Sequence, residues 1–289
     1  MELVLHKQNN EYGEEVLTNF LNIQGQILRY HFKTNPKQLN STIKNCAVIV
    51  EPRSEHTLFE EVCRNVMYFL PQDWDLVVFS YDRDIVSKKL ENIEHIFYPT
   101  DKNSFTIEEY NNLLTSQEFW EKIPAENIII FQTDSYITRR FSDAYIESIV
   151  KYPFVGAVYR FEVIKEICML CPTSSNFMIN GGFSFRKKSA MLDCINKITH
   201  NEIIKFRLEK NLKICKELKH EDVYFQHALY LLGYFLPDYN TCILFCTQTA
   251  YELVDSYAVH GINKSYVYKN FLLHIRPSII EISKEVLKK

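Results

Sequence analysis

An unbroken apolar run over residues 128–131, which ends in Gln132-Thr133-Asp134-Ser135, constrains the fold more than any other part of the sequence. Consecutive β-branched and aromatic residues are typical of a strand that is covered on both faces, as in the sheets of α/β proteins. Ligands of open α/β sheets bind just beyond the carboxyl ends of such strands. Asp134 is therefore predicted to lie where a ligand is met.

Two roles are open for Asp134. Its carboxylate is a hard oxygen ligand of the kind that Mg²⁺ and Mn²⁺ prefer, and one or two carboxylates suffice when phosphate oxygens complete the coordination shell. Alternatively, Asp134 caps a helix suggested by residues 136–150. The apolar run alone does not decide between them.

Strands and helices alternate along the first half of the chain. Apolar runs predict strands over residues 46–50, 74–79, 95–98 and 128–131, and helices are expected over 54–70, with Ser54 as its cap, and over 107–123. This alternation predicts an α/β fold with a doubly wound, mostly parallel sheet flanked by helices. We expect one compact unit, preceded by an amphipathic helical extension over residues 1–42 that includes Leu17, Phe20 and Leu21.

The charge balance argues against two classes of partner. With 33 basic and 36 acidic residues the net charge is -3, which favours neither nucleic acid nor an anionic membrane. The first residues lack the pattern of a signal peptide, and no apolar stretch approaches the roughly 20 residues that span a bilayer. A cytoplasmic location is the expectation.

Eight cysteines raise the question of a zinc site. Cys168 and Cys171 form a C-x-x-C pair, and Cys242 and Cys246 a C-x-x-x-C pair, so four thiolates could bind zinc. Alternatively, residues 242–246 form a strand with both thiols on one buried face, where cysteine behaves as a small apolar residue.

Two of the chain's 7 glycines are adjacent, at Gly181 and Gly182, between apolar residues. Such a pair indicates that the backbone turns sharply or approaches a ligand, or that a strand carries a bulge. Arg186, which closes this segment, could pair with a phosphate or with a surface carboxylate.

The acidic pair Glu221-Asp222 opens a helix predicted to run to Leu232. A carboxylate there either complements the helix dipole or acts as a general base. His260-Gly261 is expected in a turn beyond the sheet, as a structural element or as a contact of a metal or diphosphate. Metalloprotease chemistry is excluded because Tyr224 stands where H-E-x-x-H needs its second histidine, and neither a P-loop nor G-x-G-x-x-G is present.

Four segments in fixed order, with a further His-Gly pair, resemble the DUF5672 family, which is classed with GT-A glycosyltransferases. They are Val48-Ile49-Val50-Glu51-Pro52-Arg53 with His56, Phe131-Gln132-Thr133-Asp134-Ser135, Asn180-Gly181-Gly182-Phe183-Ser184-Phe185-Arg186, and Glu221-Asp222-Val223-Tyr224-Phe225 followed by His260-Gly261. The similarity covers about residues 44–268. It implies a GT-A-like domain over 43–271, with a nucleotide-binding half (43–150) and an acceptor half (151–271), and leaves 272–289 as a C-terminal helix.

The resemblance also implies roles for individual residues. Glu51, Pro52 and Arg53 would lie beside the base and ribose of a nucleotide-sugar donor, and Gly181 and Gly182 would border the donor sugar. Arg186, at the end of the same segment, is expected as a further donor contact. Asp134 and His260 would hold Mn²⁺ or Mg²⁺ with the diphosphate. Asp222, or its neighbour Glu221, would be the catalytic base.

The implied enzyme is a hexosyltransferase-like glycosyltransferase that moves a sugar from a nucleotide-diphosphate sugar, first of all a UDP-sugar, to a glycan or protein acceptor. A carboxylate base favours inversion at the anomeric carbon, whereas a carboxylate that only positions the acceptor leaves retention open. Thr133-Asp134-Ser135 offers one carboxylate where GT-A enzymes commonly have D-x-D, so metal use is an expectation that needs its own support. The alternatives are a sugar nucleotidyltransferase, or an inactive protein of the same fold that binds carbohydrate or nucleotide.

Overall fold

The computed structural model describes residues 21–159, 177–214, 216–248 and 255–262. Within these ranges one sheet has the strand order β3-β2-β1-β4-β7-β6-β8-β9-β5. Its strands are β1 (Asn45–Val50), β2 (Trp74–Ser80), β3 (His95–Pro99), β4 (Asn127–Phe131), β5 (Ser135–Ile137), β6 (Phe154–Tyr159), β7 (Met178–Lys187), β8 (Cys246–Thr247) and β9 (Ala258–His260).

Helices connect and cover these strands. The first, α1, includes residues 21–34. The others are α2 (Phe59–Phe69), α3 (Arg83–Lys89), α4 (Ile107–Leu114), α5 (Gln117–Lys122), α6 (Asp143–Ile149), α7 (Lys188–Lys197), α8 (His200–Glu209), α9 (Glu221–Leu231) and α10 (Tyr239–Phe245), with a 3₁₀ turn at Lys216–Lys219.

The predicted α/β fold with a mostly parallel sheet is confirmed. Strands β1 to β4 pair in parallel, and β1 and β2 are buried along their whole length, as their apolar sequences predicted. The antiparallel pairs follow later in the chain, where β7 lies between β4 and β6 and where β5 joins β9. The carboxyl ends of β1 and β4 therefore meet at one edge of the sheet, beside the middle of β7.

Two predicted helix starts were wrong. Ser54 does not cap α2, because its hydroxyl is 2.9 Å from that of Ser80 and the helix begins at Phe59 without a side-chain cap. The helix expected directly after Asp134 begins only at Asp143, where the side chain of Ser142 accepts from an amide of the first turn. Asp134 instead precedes β5, so its capping role is excluded.

Two further expectations need correction. The helix predicted over 107–123 is split into α4 and α5, because the hydroxyls of Thr106 and Ser116 each cap a helix start. The strand expected over residues 242–246 is mostly helical, since Asp238 caps α10 and only Cys246 belongs to a strand. Both thiols of this C-x-x-x-C pair are buried, and Cys168 and Cys171 lie outside the described residues.

The N-terminal extension is partly described. Helix α1 buries Leu28 and Phe32 in the main core, and Arg29 binds the carboxylates of Glu60 and Glu61 on α2. Residues 1–20 and the proposed C-terminal helix lie outside the described ranges. The division into halves and the cytoplasmic location stay predictions. In the described parts, none of the helices is both long and apolar enough to cross a bilayer.

A buried asparagine fixes the strand that follows Asp134. Asn65 of α2 is fully buried, and its side-chain amide donates to the Ile137 carbonyl at 3.0 Å while accepting from the Ile137 N–H at 2.7 Å. Both backbone groups of one β5 residue are thereby satisfied by a single side chain. This clamp holds β5, and with it the end of the Asp134 loop, against α2.

We expect Asn65→Ala to lower the free energy of unfolding by about 3 kcal/mol, because it leaves a buried N–H and a buried C=O without partners. Urea unfolding followed by circular dichroism measures the change. The control is Asn112→Ala, at an exposed position of α4. A loss no larger than that of the control would contradict the clamp.

Candidate active site

A cleft of about 500 Å³ opens at the carboxyl ends of β1 and β4 and at the amino end of α9. Most of the residues predicted for the site line this cleft. They are Glu51, Pro52, Arg53, Asp134, Gly181, Gly182, Glu221 and Asp222. The structure thus brings together segments that are up to about 170 residues apart in the chain.

Asp134, in the turn between β4 and β5, meets His260 of β9. The Nε2 atom of His260 is 3.2 Å from the Asp134 carboxylate and 3.2 Å from the side-chain oxygen of Gln132. His260 lies in β9, opposite Ser135 of β5, so its expected position in a turn beyond the sheet was wrong. Only Gly261 turns the chain, with a φ of 78°.

The donor atoms around His260 fit a divalent cation. A carboxylate, a side-chain amide oxygen and an imidazole nitrogen converge here, and oxygen ligands suit Mg²⁺ and Mn²⁺. Among the described residues, no group of three or more His, Cys, Asp or Glu side chains could hold a metal. A cation at this place would therefore need ligands from a bound substrate as well.

Gly181 and Gly182 lie where β7 is irregular, since its register with β6 shifts between Gly156 and Ala157. A Cβ atom added to Gly181 would be 2.1 Å from the Glu221 carboxylate, and one added to Gly182 would be 2.1 Å from Nε2 of His260. Both distances are far below van der Waals contact. The bulge and the close approach expected from the sequence thus occur together, and the approaching groups are side chains of the protein itself.

Arg186 does not line the cleft, contrary to the expectation that it contacts the donor. Its guanidinium is fully buried and forms a two-pronged ion pair with Glu221, with N–O distances of 2.5 and 2.9 Å. The planar group also lies 4.7 Å from the ring centre of Phe154. Because both oxygens of Glu221 are bound by one arginine, Glu221 is a poor candidate for the base.

Asp222 is the better candidate for a base. It is 8% exposed, its Oδ2 accepts from the Gly181 N–H at 3.1 Å, and its Oδ1 accepts from the Val223 N–H at 2.8 Å. Burial raises the pKa of Asp222 to about 7 and the charge of Glu221 adds to the rise, against the Gly181 N–H, Arg186 and the Val223 N–H. A carboxylate with such a pKa exchanges protons near neutral pH.

Several side chains of the cleft were absent from the predicted site, among them those of His56, Tyr110 and Asn111. His56, which the sequence only marked as part of a motif, accepts from the Leu58 N–H with Nδ1, so its Nε2 carries the proton and lies 3.5 Å from the Thr133 hydroxyl. Burial lowers the pKa of His56. Tyr110 and Asn111 come from α4, whose start at residue 107 was predicted, but the sequence did not indicate that this helix borders the cleft.

The turn after β1 also lines the cleft. Both carboxylate oxygens of Glu51 bind the Arg53 guanidinium at 2.7 Å, and Glu51 also accepts from the Arg53 N–H. The hydrogen bond to Glu51 raises the pKa of Arg53. The Arg53 side chain is 57% exposed, so it is available to a ligand entering the cleft.

The model of the DUF5672 family, described as a protein of unknown function, matches residues 92–261. This is more than half of the 289 residues, so the chain belongs to the DUF5672 family. The match begins later than the expected residue 44, and the segment Glu51-Pro52-Arg53 lies outside it. No curated protein matches the chain.

Several solved structures are similar in shape. Mouse xyloside xylosyltransferase 1 in its apo form is 10% identical, with a TM-score of 0.49 and coverage of 75% of this chain and 97% of its own. The galactosyltransferase LgtC, solved with donor and acceptor sugar analogs, is 10% identical, with a TM-score of 0.47 and coverage of 80% and 95%. The bifunctional glycosyltransferase WbbM, also apo, is 9% identical, with a TM-score of 0.45 and coverage of 86% and 52%. At these scores no activity is transferred from them to this chain.

The raised pKa of Asp222 has a consequence for stability. Above pH 7 the folded protein keeps a buried, charged carboxylate, whereas the unfolded chain ionises already near pH 4. The folded-state pKa is raised, so the parent loses stability as pH rises from about 4 to about 7. Between pH 5 and pH 8, the ionisation of Asp222 should lower the free energy of unfolding of the parent by about 3 kcal/mol.

We therefore expect the free energy of unfolding of Asp222→Asn, measured relative to that of the parent, to be about 3 kcal/mol higher at pH 8 than at pH 5. Denaturant unfolding at both values measures it, with Asp84→Asn as a control at an exposed position of α3. If the difference between Asp222→Asn and the parent is the same at pH 5 and pH 8, the raised pKa is wrong.

Proposed function

We propose that the protein is a glycosyltransferase of the GT-A type, which moves a sugar from a nucleotide-diphosphate sugar to a hydroxyl of a glycan or protein acceptor. Asp134 and His260 bind the diphosphate side of the donor together with Mn²⁺ or Mg²⁺. Glu51, Pro52 and Arg53 contact the nucleoside, and a UDP-sugar is the first donor to test. Asp222 accepts the proton of the attacking hydroxyl.

The observation that carries this proposal is the arrangement of two different carboxylates in one cleft. Asp134 lies beside an imidazole nitrogen and an amide oxygen, as suits a cation, whereas Asp222 is buried and has a pKa of about 7, as suits a base. The two glycines of β7 lie in the lining with them. Asp134 would thus act on the departing diphosphate, and Asp222 would act on the attacking hydroxyl.

The charges of the cleft support a role for a metal. Among its described lining residues, the acidic side chains are those of Glu51, Asp134, Glu221 and Asp222, and the basic Lys or Arg side chain is that of Arg53. Arg53 is already paired with Glu51. A diphosphate that enters beside Asp134 would therefore meet negative charge unless a divalent cation accompanies it. When bound, that cation would neutralise charge on the departing diphosphate.

The chemistry assigned to Asp222 is one proton transfer during a substitution. The acceptor oxygen forms a bond to the anomeric carbon, the bond from that carbon to the diphosphate oxygen breaks, and the hydroxyl proton passes to Asp222. A base with a pKa near 7 is ionised in a useful fraction at neutral pH. Direct attack of this kind inverts the anomeric carbon.

Donor binding is tested by thermal shift. The protein is heated with UDP, GDP, ADP or CDP, each with and without Mn²⁺, and we expect one nucleotide with Mn²⁺ to raise Tm by about 5 °C at a hundredfold excess over Kd. Asp134→Asn should lose this shift because it removes the carboxylate beside His260. Asp84→Asn, at an exposed position of α3, should keep it.

If no nucleotide shifts the parent under either condition, the transferase proposal fails. A shift that needs no Mn²⁺ and persists in Asp134→Asn would contradict the metal site alone.

Catalysis is tested with the donor that the thermal shift identifies. Asp222→Asn should lower kcat by about 10²–10⁴-fold while the donor Kd changes less than twofold, because the base acts on the acceptor hydroxyl. Release of the nucleoside diphosphate in the presence of acceptor measures kcat. Retention of kcat within threefold would exclude Asp222 as the base. Nucleotide binding without sugar transfer by the parent would leave a binding protein.

A further inference from the structure

We propose that the Arg186–Glu221 ion pair is a positioning device that fixes the Asp222 carboxylate in the cleft through the backbone of Gly181, whose carbonyl binds Arg186 and whose N–H binds Asp222. This inference rests on the proposed function, since it gives Arg186 and Glu221 a part in the work of Asp222. Neither Arg186 nor Glu221 touches substrate. Both act by orienting Asp222.

The burial of Arg186 needs an explanation other than stability. An ion pair that is removed from water loses hydration on both sides, and well-packed apolar residues often replace such a pair without loss. Arg186 is fully buried and Glu221 is 4% exposed. The aromatic rings of Phe154 and Phe225 lie 4.7 and 5.6 Å from the guanidinium, so apolar residues would find suitable neighbours there.

The hydrogen bonds of Arg186 end on the backbone that holds Asp222. Beside its two bonds to Glu221, Nη2 donates to the Gly181 carbonyl at 3.3 Å, and Nε donates to the Ser184 hydroxyl at 3.0 Å. That hydroxyl donates to the same Gly181 carbonyl at 2.9 Å. The carbonyl oxygen of Gly181 thus accepts two hydrogen bonds.

The nitrogen of Gly181 completes a closed ring of contacts. It donates to Oδ2 of Asp222 at 3.1 Å, and Asp222 is covalently joined to Glu221, the partner of Arg186. The Glu221 N–H is itself held by the Asn111 side chain at 2.8 Å, so the first turn of α9 is anchored to α4. Displacing the guanidinium would therefore shift Gly181, and with it the direction of the Asp222 carboxylate.

The pair also sets the charge around Asp222. Among the described residues, the charged or titratable groups that act on it are Glu221 on the same helix and Arg186 on β7, and Tyr110 on α4 is coupled to all three. Glu221 raises the proton affinity of Asp222 and Arg186 lowers it. Removing the charge of Glu221 should therefore lower the pH at which Asp222 loses its proton.

The first test is Arg186→Lys, which keeps the charge but cannot form the two-pronged pair and the backbone contact together. We expect kcat to fall at least tenfold at 25 °C while the donor Kd stays within twofold of the parent, because Arg186 lies outside the cleft lining. The matched control is Arg64→Lys. Arg64 is a 4% exposed arginine on α2 that binds Glu60 and two backbone carbonyls away from the cleft.

A purely structural role predicts that Arg186→Lys behaves as Arg64→Lys does, with a lower Tm and an unchanged kcat at 25 °C. That result would overturn the proposal, whether or not the two variants lose equal stability.

The second test is Glu221→Gln and needs no transferase activity. Asp222→Asn is introduced into the parent and into Glu221→Gln, and the change in unfolding stability that it causes in each protein is measured from pH 4 to pH 9. This change follows the ionisation of Asp222, and the pH at which it is half complete should be about one unit lower in Glu221→Gln than in the parent. Equal midpoints would overturn the proposal. If the parent transfers no sugar, the proposed function fails, whereas this titration still decides the influence of the pair on Asp222.

Discussion

The lack of side chains at Gly181 and Gly182 is the constraint on which the cleft depends. A Cβ at the first would strike the Glu221 carboxylate and one at the second would strike the His260 ring, each at 2.1 Å. These two positions of β7 therefore let the amino end of α9 approach from one direction and the end of β9 from another. Without that approach, Asp134 and Asp222 would not face one cleft.

The carboxylates of this cleft differ because their surroundings differ. Glu51 and Glu221 are each held by both oxygens to an arginine, and Asp134 lies against His260. In the described part of the chain, Asp222 is held by backbone N–H groups and forms no ion pair, so burial dominates and its pKa rises to about 7. Three of these four carboxylates thus have an arginine or histidine partner, and Asp222 has the raised pKa that suits the proposed base.

The sequence predicted the parallel half of the sheet well, because β1, β2 and β4 each contain a run of at least four consecutive apolar residues, and β3 pairs in parallel with β2. It missed β5, β8 and β9, which have two or three residues each and exist only through their partners. The apolar run around Cys242 was ambiguous between strand and helix, and the Asp238 cap decided it. The buried pairing of Arg186 could not be foreseen, since it depends on α9 packing against β7.

The division of work between Asp134 and Asp222 is tested most directly by a crystal structure with the bound nucleoside diphosphate and Mn²⁺, with anomalous data collected for manganese. We expect one anomalous peak in contact with Asp134 and His260, the diphosphate bound to the same ion, and no contact between Asp222 and the metal. A nucleotide bound elsewhere, or manganese held by Asp222, would contradict it.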